Sequence, residues 1–142
     1  FIYFNSIAGK KISYELKKKS SSFNTDLDKN KKKINEQKKK LISQKNILSE
    51  DDYSKKVTEF EILVKTHNKK ISDSNKELQK FKSKARIQFL TKLNDLLQQY
   101  ANQNSIQMII NKKNILIGKN DLDATKDILN LVNENIKTIK TQ

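Results

Sequence analysis

Between Lys10 and Leu48, Leu27, Ile34, Leu41 and Leu48 recur at strict seven-residue intervals, with Phe23 at one intermediate position and Asn30, Gln37 and Gln44 at the others. That spacing predicts a long helix with a thin, half-polar coiled-coil seam. From Asp52 to Asn102 a second series, Val57, Phe60, Val64, His67, Ile71, Ser74, Leu78, Phe81 and Ala85, alternates steps of three and four, then lengthens towards steps of four through Phe89, Leu93, Leu96 and Tyr100. A second long helix follows, with a stutter near Ala85.

Between the two helices lies NILSEDDYSKK, where Ser49 is an N-cap candidate and Glu50, Asp51 and Asp52 put negative charge in the first turn of a helix. This predicts a hairpin tip at about 47–53 that joins the two arms of a 10–102 hairpin. Seam residues should then face each other where their numbers add to about 101, so that Leu41 meets Phe60, Leu27 meets Ser74, Leu16 meets Ala85 and Ile12 meets Phe89.

After the second helix the periodicity changes. Ile106, Met108 and Ile110 alternate with Gln107 and Ile109, NKKN offers turn chemistry, and Ile115, Leu116 and Ile117 precede Gly118. A strand hairpin at about 105–118 is expected, followed by a helix at about 124–140 that carries Ile128, Leu129, Val132, Ile136 and Ile139 on one face, with Asp and Thr as cap candidates. Two strands alone are marginal in water, so their edges should pair either with another strand of this chain or with copies of itself. The opening FIYF reads either as a strand remnant or as a short packing helix. The expected fold class is thus mainly α with a small β part (α+β): a long antiparallel helical hairpin on a small β-body formed by 1–9 and 103–142. Ile106, Met108, Ile110, Ile115 and Ile117 are the expected body core and oligomer interface.

Composition narrows the class further. The 142 residues are 32% charged and 35% hydrophobic, with two Gly and no Pro, too polar for one well-filled globular core and too periodic for disorder. No window approaches a transmembrane span, and the start has neither an initiator Met nor a signal-peptide layout, so the chain reads as a soluble mature chain or a fragment. Cysteine is absent. The net charge of +14 is concentrated in the first long segment, where residues 10–46 hold 13 Lys against four acids. Such a field attracts acidic protein, anionic lipid or nucleic acid and is screened by salt, although lysines on long helices also serve simply to solvate them.

Candidate chemistry is sparse. The single histidine, His67, falls on the seam without a second His or a Cys and reads as structural; Glu50 to Asp52 read as helix capping in preference to a cation site. No glycine-rich phosphate cradle is present, so nucleotide binding lacks its motif, and neither an enzyme nor a cofactor is expected. The triplets Lys17 to Lys19, Lys31 to Lys33 and Lys38 to Lys40 wrap the first helix and build a general positive field. With Arg86 as the only arginine and no aromatic interleaving, sequence-specific nucleic-acid reading is not expected; a structural coiled-coil protein or a nonspecific basic nucleic-acid binder is the alternative function.

The order of these segments resembles the Skp/OmpH family of periplasmic chaperones. Ser6, Ala8, Gly9 and Lys10 match an S-x-A-G-K element at the start of the first helix, and Asp123, Thr125, Ile128 and Leu129 match a D-[IL]-T-x-x-[VI]-[IL] element, from which Ala124 departs. IQMIINKKNILIG is similar to the family's strand hairpin. Members begin with a strand ahead of the helix-starting element, and here only Phe1 to Asn5 precede Ser6, so the first strand is expected to be missing. The resemblance implies a homotrimer whose strands build a shared β-body with three helical tentacles, jellyfish-like, holding unfolded outer-membrane proteins in the periplasm without ATP. Candidate client contacts are Ile34, Leu41, Phe60, Val64 and Phe81 with Lys31, Lys32, Lys38 and Lys39, although Phe60 and Phe81 read first as seam packing; anionic lipid or lipopolysaccharide is a further implied partner.

Overall fold

The computed structural model describes residues 1–140; the last two residues of the expected 103–142 body segment lie outside the described residues. Among the described residues four α-helices carry the fold: α1 (Ile2–Asn5), α2 (Ile7–Gln44), α3 (Glu50–Gln103) and α4 (Thr125–Asn135). At about 1.5 Å per residue, the 38 residues of α2 and the 54 of α3 are roughly 57 and 81 Å long. Among the described residues no helix is long and apolar enough to cross a membrane.

The chain divides into two compact units, one formed by Lys17–Lys80 and the other by Phe1–Leu16 with the chain from Phe81 onward. In the first, α2 and α3 make a hairpin whose connection is shorter than the expected tip: only residues 45–49 separate the helices. Ser49 explains where α3 starts, because its Oγ accepts from Asp52 N at 3.2 Å and donates to the Asp52 carboxylate at 2.7 Å. One of the four N–H groups that every helix start leaves unpaired is thereby satisfied, and the acids of the first turn complement the helix dipole. Seam burial is only partial. Phe23, Leu27, Asn30, Ile34 and Leu41 on α2, Leu48 in the connection, and Tyr53, Val57, Phe60, Val64, His67, Ser74 and Leu78 on α3, are half-buried, whereas Gln37 and Ile71 stay exposed. Lys19 and Glu77 add an ion pair between the helices at 3.1 Å, too exposed to be worth more than about 1 kcal/mol.

The second unit holds the true core. Ala8 and Ile12 of α2, Phe81, Ala85 and Phe89 of α3, and Ile128, Val132, Ile136 and Ile139 are buried together. The two steps of four from Phe81 to Ala85 and Phe89 mark buried positions, whereas Leu93, Leu96 and Tyr100 further along are half-buried. Four of the five apolar positions expected on the last helix face this core, Leu129 being half-buried; the helix itself ends at Asn135, before Ile136 and Ile139. FIYF is a short helix, and Tyr3 sets its ring edge-on to Phe89 at 5.0 Å. Burial pushes the Tyr3 phenol up from its ordinary value while Arg86 pulls the other way.

The joint between α1 and α2 is tightly tied. Ser6 is fully buried, donates from Oγ to Tyr3 O at 3.2 Å and accepts from Gly9 N at 3.1 Å. The amide of Ile7 donates to Asn133 Oδ1 at 2.8 Å, so a side chain of α4 caps α2 across 126 positions of sequence. Replacing Asn133 with Ala should cost about 1 kcal/mol, read as a lower urea midpoint, with Asp restoring most of it.

The expected strand hairpin is not formed. Among the described residues no strand occurs, and the α+β class with its β-body is corrected to an all-helical fold with an extended connection between α3 and α4. Three local features account for the connection. Ser105 takes a left-handed conformation (φ 55°), with Ile106 N bonded to Ala101 O and Ser105 N to Asn102 O, the paired bonds of a Schellman stop. NKKN closes as a 3-10 turn over Lys112–Asn114, where Asn111 Oδ1 accepts from Lys113 N, instead of joining two paired strands. A second 3-10 turn, Asn120–Leu122, follows Gly118. The alternating pattern supplied a face for a sheet but no third strand to bury it, and α4 covers the core instead. Substituting Ser105 with Gly should raise stability by about 0.5–1 kcal/mol in urea unfolding, since a side chain there opposes the left-handed turn.

The start of α4 is set by Asp123, whose carboxylate accepts from Thr125 N at 3.1 Å, from Thr125 Oγ1 and from Lys112 Nζ. The Lys112 and Thr125 hydrogen bonds hold this carboxyl well below the ordinary carboxylate range. A depressed folded-state pKa contributes stability that is present above the unfolded value and is lost only as pH falls through the folded value. A carboxyl NMR titration should therefore place Asp123 below the ordinary range, and Lys112→Met should move it up.

Candidate functional site

The candidate surface is the lysine-rich unit, Lys17–Lys80. Heptad spacing places Ile34, Leu41, Phe60 and Val64 on its seam, and all four are half-buried. Lys31, Lys32, Lys38 and Lys39 are exposed. Phe81 is not part of this surface: it is 8% exposed and packs in the helical core of the other unit, which assigns it to stability.

The seam does not close evenly. Where α2 contributes Gln37 and Gln44 around Leu41, a groove opens that is lined also by Lys40 and, from α3, by Lys56, Glu59, Phe60 and Leu63. A second groove opens where Asn30 and Phe23 flank Leu27, with Asp26, Lys29 and Lys33 beside them and Lys70 and Ser74 across from them. Leu41 with Phe60 and Leu27 with Ser74 are the pairs expected from the register. The physical cause is the residue type at the seam: a carboxamide keeps water where an aliphatic side chain would exclude it, so the helices meet without a dry contact. In both grooves lysines outnumber acids. The arrangement offers apolar floor, amide donors and acceptors, and positive charge, a set suited to weak and varied contacts with a polypeptide.

His67 lies on the same seam, half-buried, with Nδ1 enclosed and without a hydrogen-bond partner. No group of three His, Asp or Glu side chains gathers among the described residues. Glu50, Asp51 and Asp52 serve the start of α3 as described.

The five residues expected to form a body core belong to the connection between α3 and α4. Ile106 is half-buried, Ile110 and Ile115 are exposed, and Met108 and Ile117 are 73% and 95% exposed. In one chain they are therefore not a core. Reading the sequence missed the residues that hold the real core in place, Tyr3 against Phe89 and Asn133 on Ile7. Ser6 and Gly9 were visible as a motif, but the partner across the fold had no local signal.

The comparisons with known proteins agree on one family. The model of the OmpH family, outer membrane protein (OmpH-like), matches residues 1–132. A crystal structure of an OmpH-like outer membrane chaperone candidate from Caulobacter crescentus CB15 superposes with a TM-score of 0.90 over 98% of this chain and 82% of that one, at 18% identity, so the fold is shared. No curated protein matches significantly. With a family model covering nearly the whole sequence and a solved structure of the same fold, the chain belongs to the OmpH-like family of outer membrane proteins.

Proposed function

We propose that this protein is an ATP-independent holdase that binds unfolded outer-membrane proteins in the periplasm and keeps them from aggregating. The observation that carries the reading is the seam of the Lys17–Lys80 unit, where apolar residues remain half-exposed beside carboxamides within a lysine-rich surface. Family membership supports the same role. Many weak apolar contacts and a positive field retain an acidic, unfolded chain without a site for nucleotide, and release it without hydrolysis.

In this proposal the Lys17–Lys80 unit is the client-holding arm, and the unit with the buried core is the end at which copies assemble into a homotrimer. Met108, Ile110, Ile115 and Ile117, exposed in the single chain, supply apolar area for that assembly together with the half-buried Ile106. Anionic lipid and lipopolysaccharide are secondary partners of the lysine surface.

The test is light scattering of an outer-membrane barrel protein diluted from urea, without ATP. Stoichiometric trimer should suppress the signal, and unchanged scattering accompanied by duplex DNA binding with a steep salt slope would overturn the reading. Removal of the hairpin between Gln37 and Val64 should leave the sedimentation-derived oligomer intact while client capacity falls.

A further inference from the structure

The two grooves of the Lys17–Lys80 unit share a set of equivalent heptad positions. Moving fourteen positions along α2 converts Gln37, Lys40, Leu41 and Gln44 into Phe23, Asp26, Leu27 and Asn30, all of which line the second groove. The same step along α3 converts Lys56 and Phe60 into Lys70 and Ser74, which line it as well. Fourteen positions are two heptads. A straight helix drifts by about 20° per heptad, a drift that the left-handed winding of a coiled coil absorbs, so both grooves open on the same side of the helix pair, about 21 Å apart. Each has a leucine floor and one phenylalanine, contributed by α3 in the first groove (Phe60) and by α2 in the second (Phe23).

That separation selects a ligand conformation. An extended chain rises about 3.4 Å per residue, so about 21 Å is close to six residues, and an even step returns to the same face of the strand. The carboxamides point the same way. Gln37, Gln44 and Asn30 offer donors and acceptors that an extended backbone can use and a helical ligand, with its backbone groups already paired, cannot. Lysines exceed acids in each groove, which favours carboxylates beside the apolar anchors.

We propose that the paired grooves bind one extended client segment through two apolar side chains six residues apart, with acidic residues next to them. This inference deepens the holdase reading and rests on it. The two weak contacts share one chain, so the second forms at the high effective concentration set by the first.

Fluorescence anisotropy of the full chain with three labelled, acid-flanked, alternating peptides tests it: Phe anchors six apart, Phe anchors five apart, and a single Phe. The six-spaced peptide should bind at least about tenfold more tightly than either of the others. Lys56→Glu and Lys70→Glu, both at exposed positions, should each weaken that peptide several-fold, with helicity by circular dichroism unchanged. Indistinguishable affinity for six- and five-residue spacing, or tighter binding of a helical peptide with anchors fourteen apart, would overturn the paired-groove inference. If barrel aggregation is suppressed while spacing has no effect, the inference falls and the holdase reading stands. If the chain neither suppresses aggregation nor binds any of the peptides, the holdase reading falls and takes the inference with it.

Discussion

Replacing Gly9 with Ala should destabilise the core unit by about 3 kcal/mol or more, a large effect for one methyl group. A Cβ built at Gly9 would lie 1.5 Å from the backbone oxygen of Tyr3, a position that no side-chain rotation can relieve. The first helix would have to lift away from α2. That movement breaks the bond from Ser6 Oγ to Tyr3 O and draws the Tyr3 ring off Phe89, so several small terms are lost together. Urea unfolding followed at a core probe measures the cost. The chain's other glycine is the control: a Cβ at Gly118 would meet only Ile115 Cγ2 at 3.4 Å, an ordinary contact, and Gly118→Ala should be close to neutral. Equal effects at the two glycines would refute the close approach of α1 to α2.

Truncation of Phe89 to Ala should cost about 3–5 kcal/mol, the usual range for a fully buried phenylalanine. Phe89 is 0% exposed, shares the core with Ala8, Ile12, Ala85 and Val132, and forms the edge-on pair with Tyr3. Because Ala8 and Ala85 are already small, there is little side-chain volume nearby to collapse into the space left. Phe60, on the half-buried seam, is the contrast: its truncation should cost about 1–2 kcal/mol and, on the holdase proposal, reduce client binding. A single phenylalanine-to-alanine pair thus separates stability from function. Hydrogen exchange should show the same division, with amides near Phe89 opening at higher free energy than those near Phe60.

The helices were legible because their signal is periodic and long. Leu27, Ile34 and Leu41 announced α2, and Ser49 with its acids announced the start of α3, whereas the shift of step near Ala85 read only as a stutter and gave no sign of the core there. The carboxamides at Gln37, Gln44 and Asn30 were visible as polar seam positions, but what they leave open depends on the residues opposite, so the grooves required the paired helices. The strand expectation failed for a physical reason of another kind. Alternation in IQMIINKKNILIG states which side chains share a face, whereas a sheet also needs backbone partners, and the local bonds at Ser105, Asn111 and Lys112 close turns instead of pairing the two runs.

By itself the sequence determined two long helices, the first strongly basic, their reversal near Ser49, their thin seam and the apolar face of the last helix, all properties carried by neighbouring residues through helical period and capping. The tertiary structure decided what that last face meets and what keeps it there. Asn133 reaches Ile7, Tyr3 reaches Phe89, and Gly9 lets a backbone oxygen approach where any side chain would collide. Those contacts join residues about 85 to 125 positions apart or depend on an absent atom, and neither leaves a periodic trace in the chain.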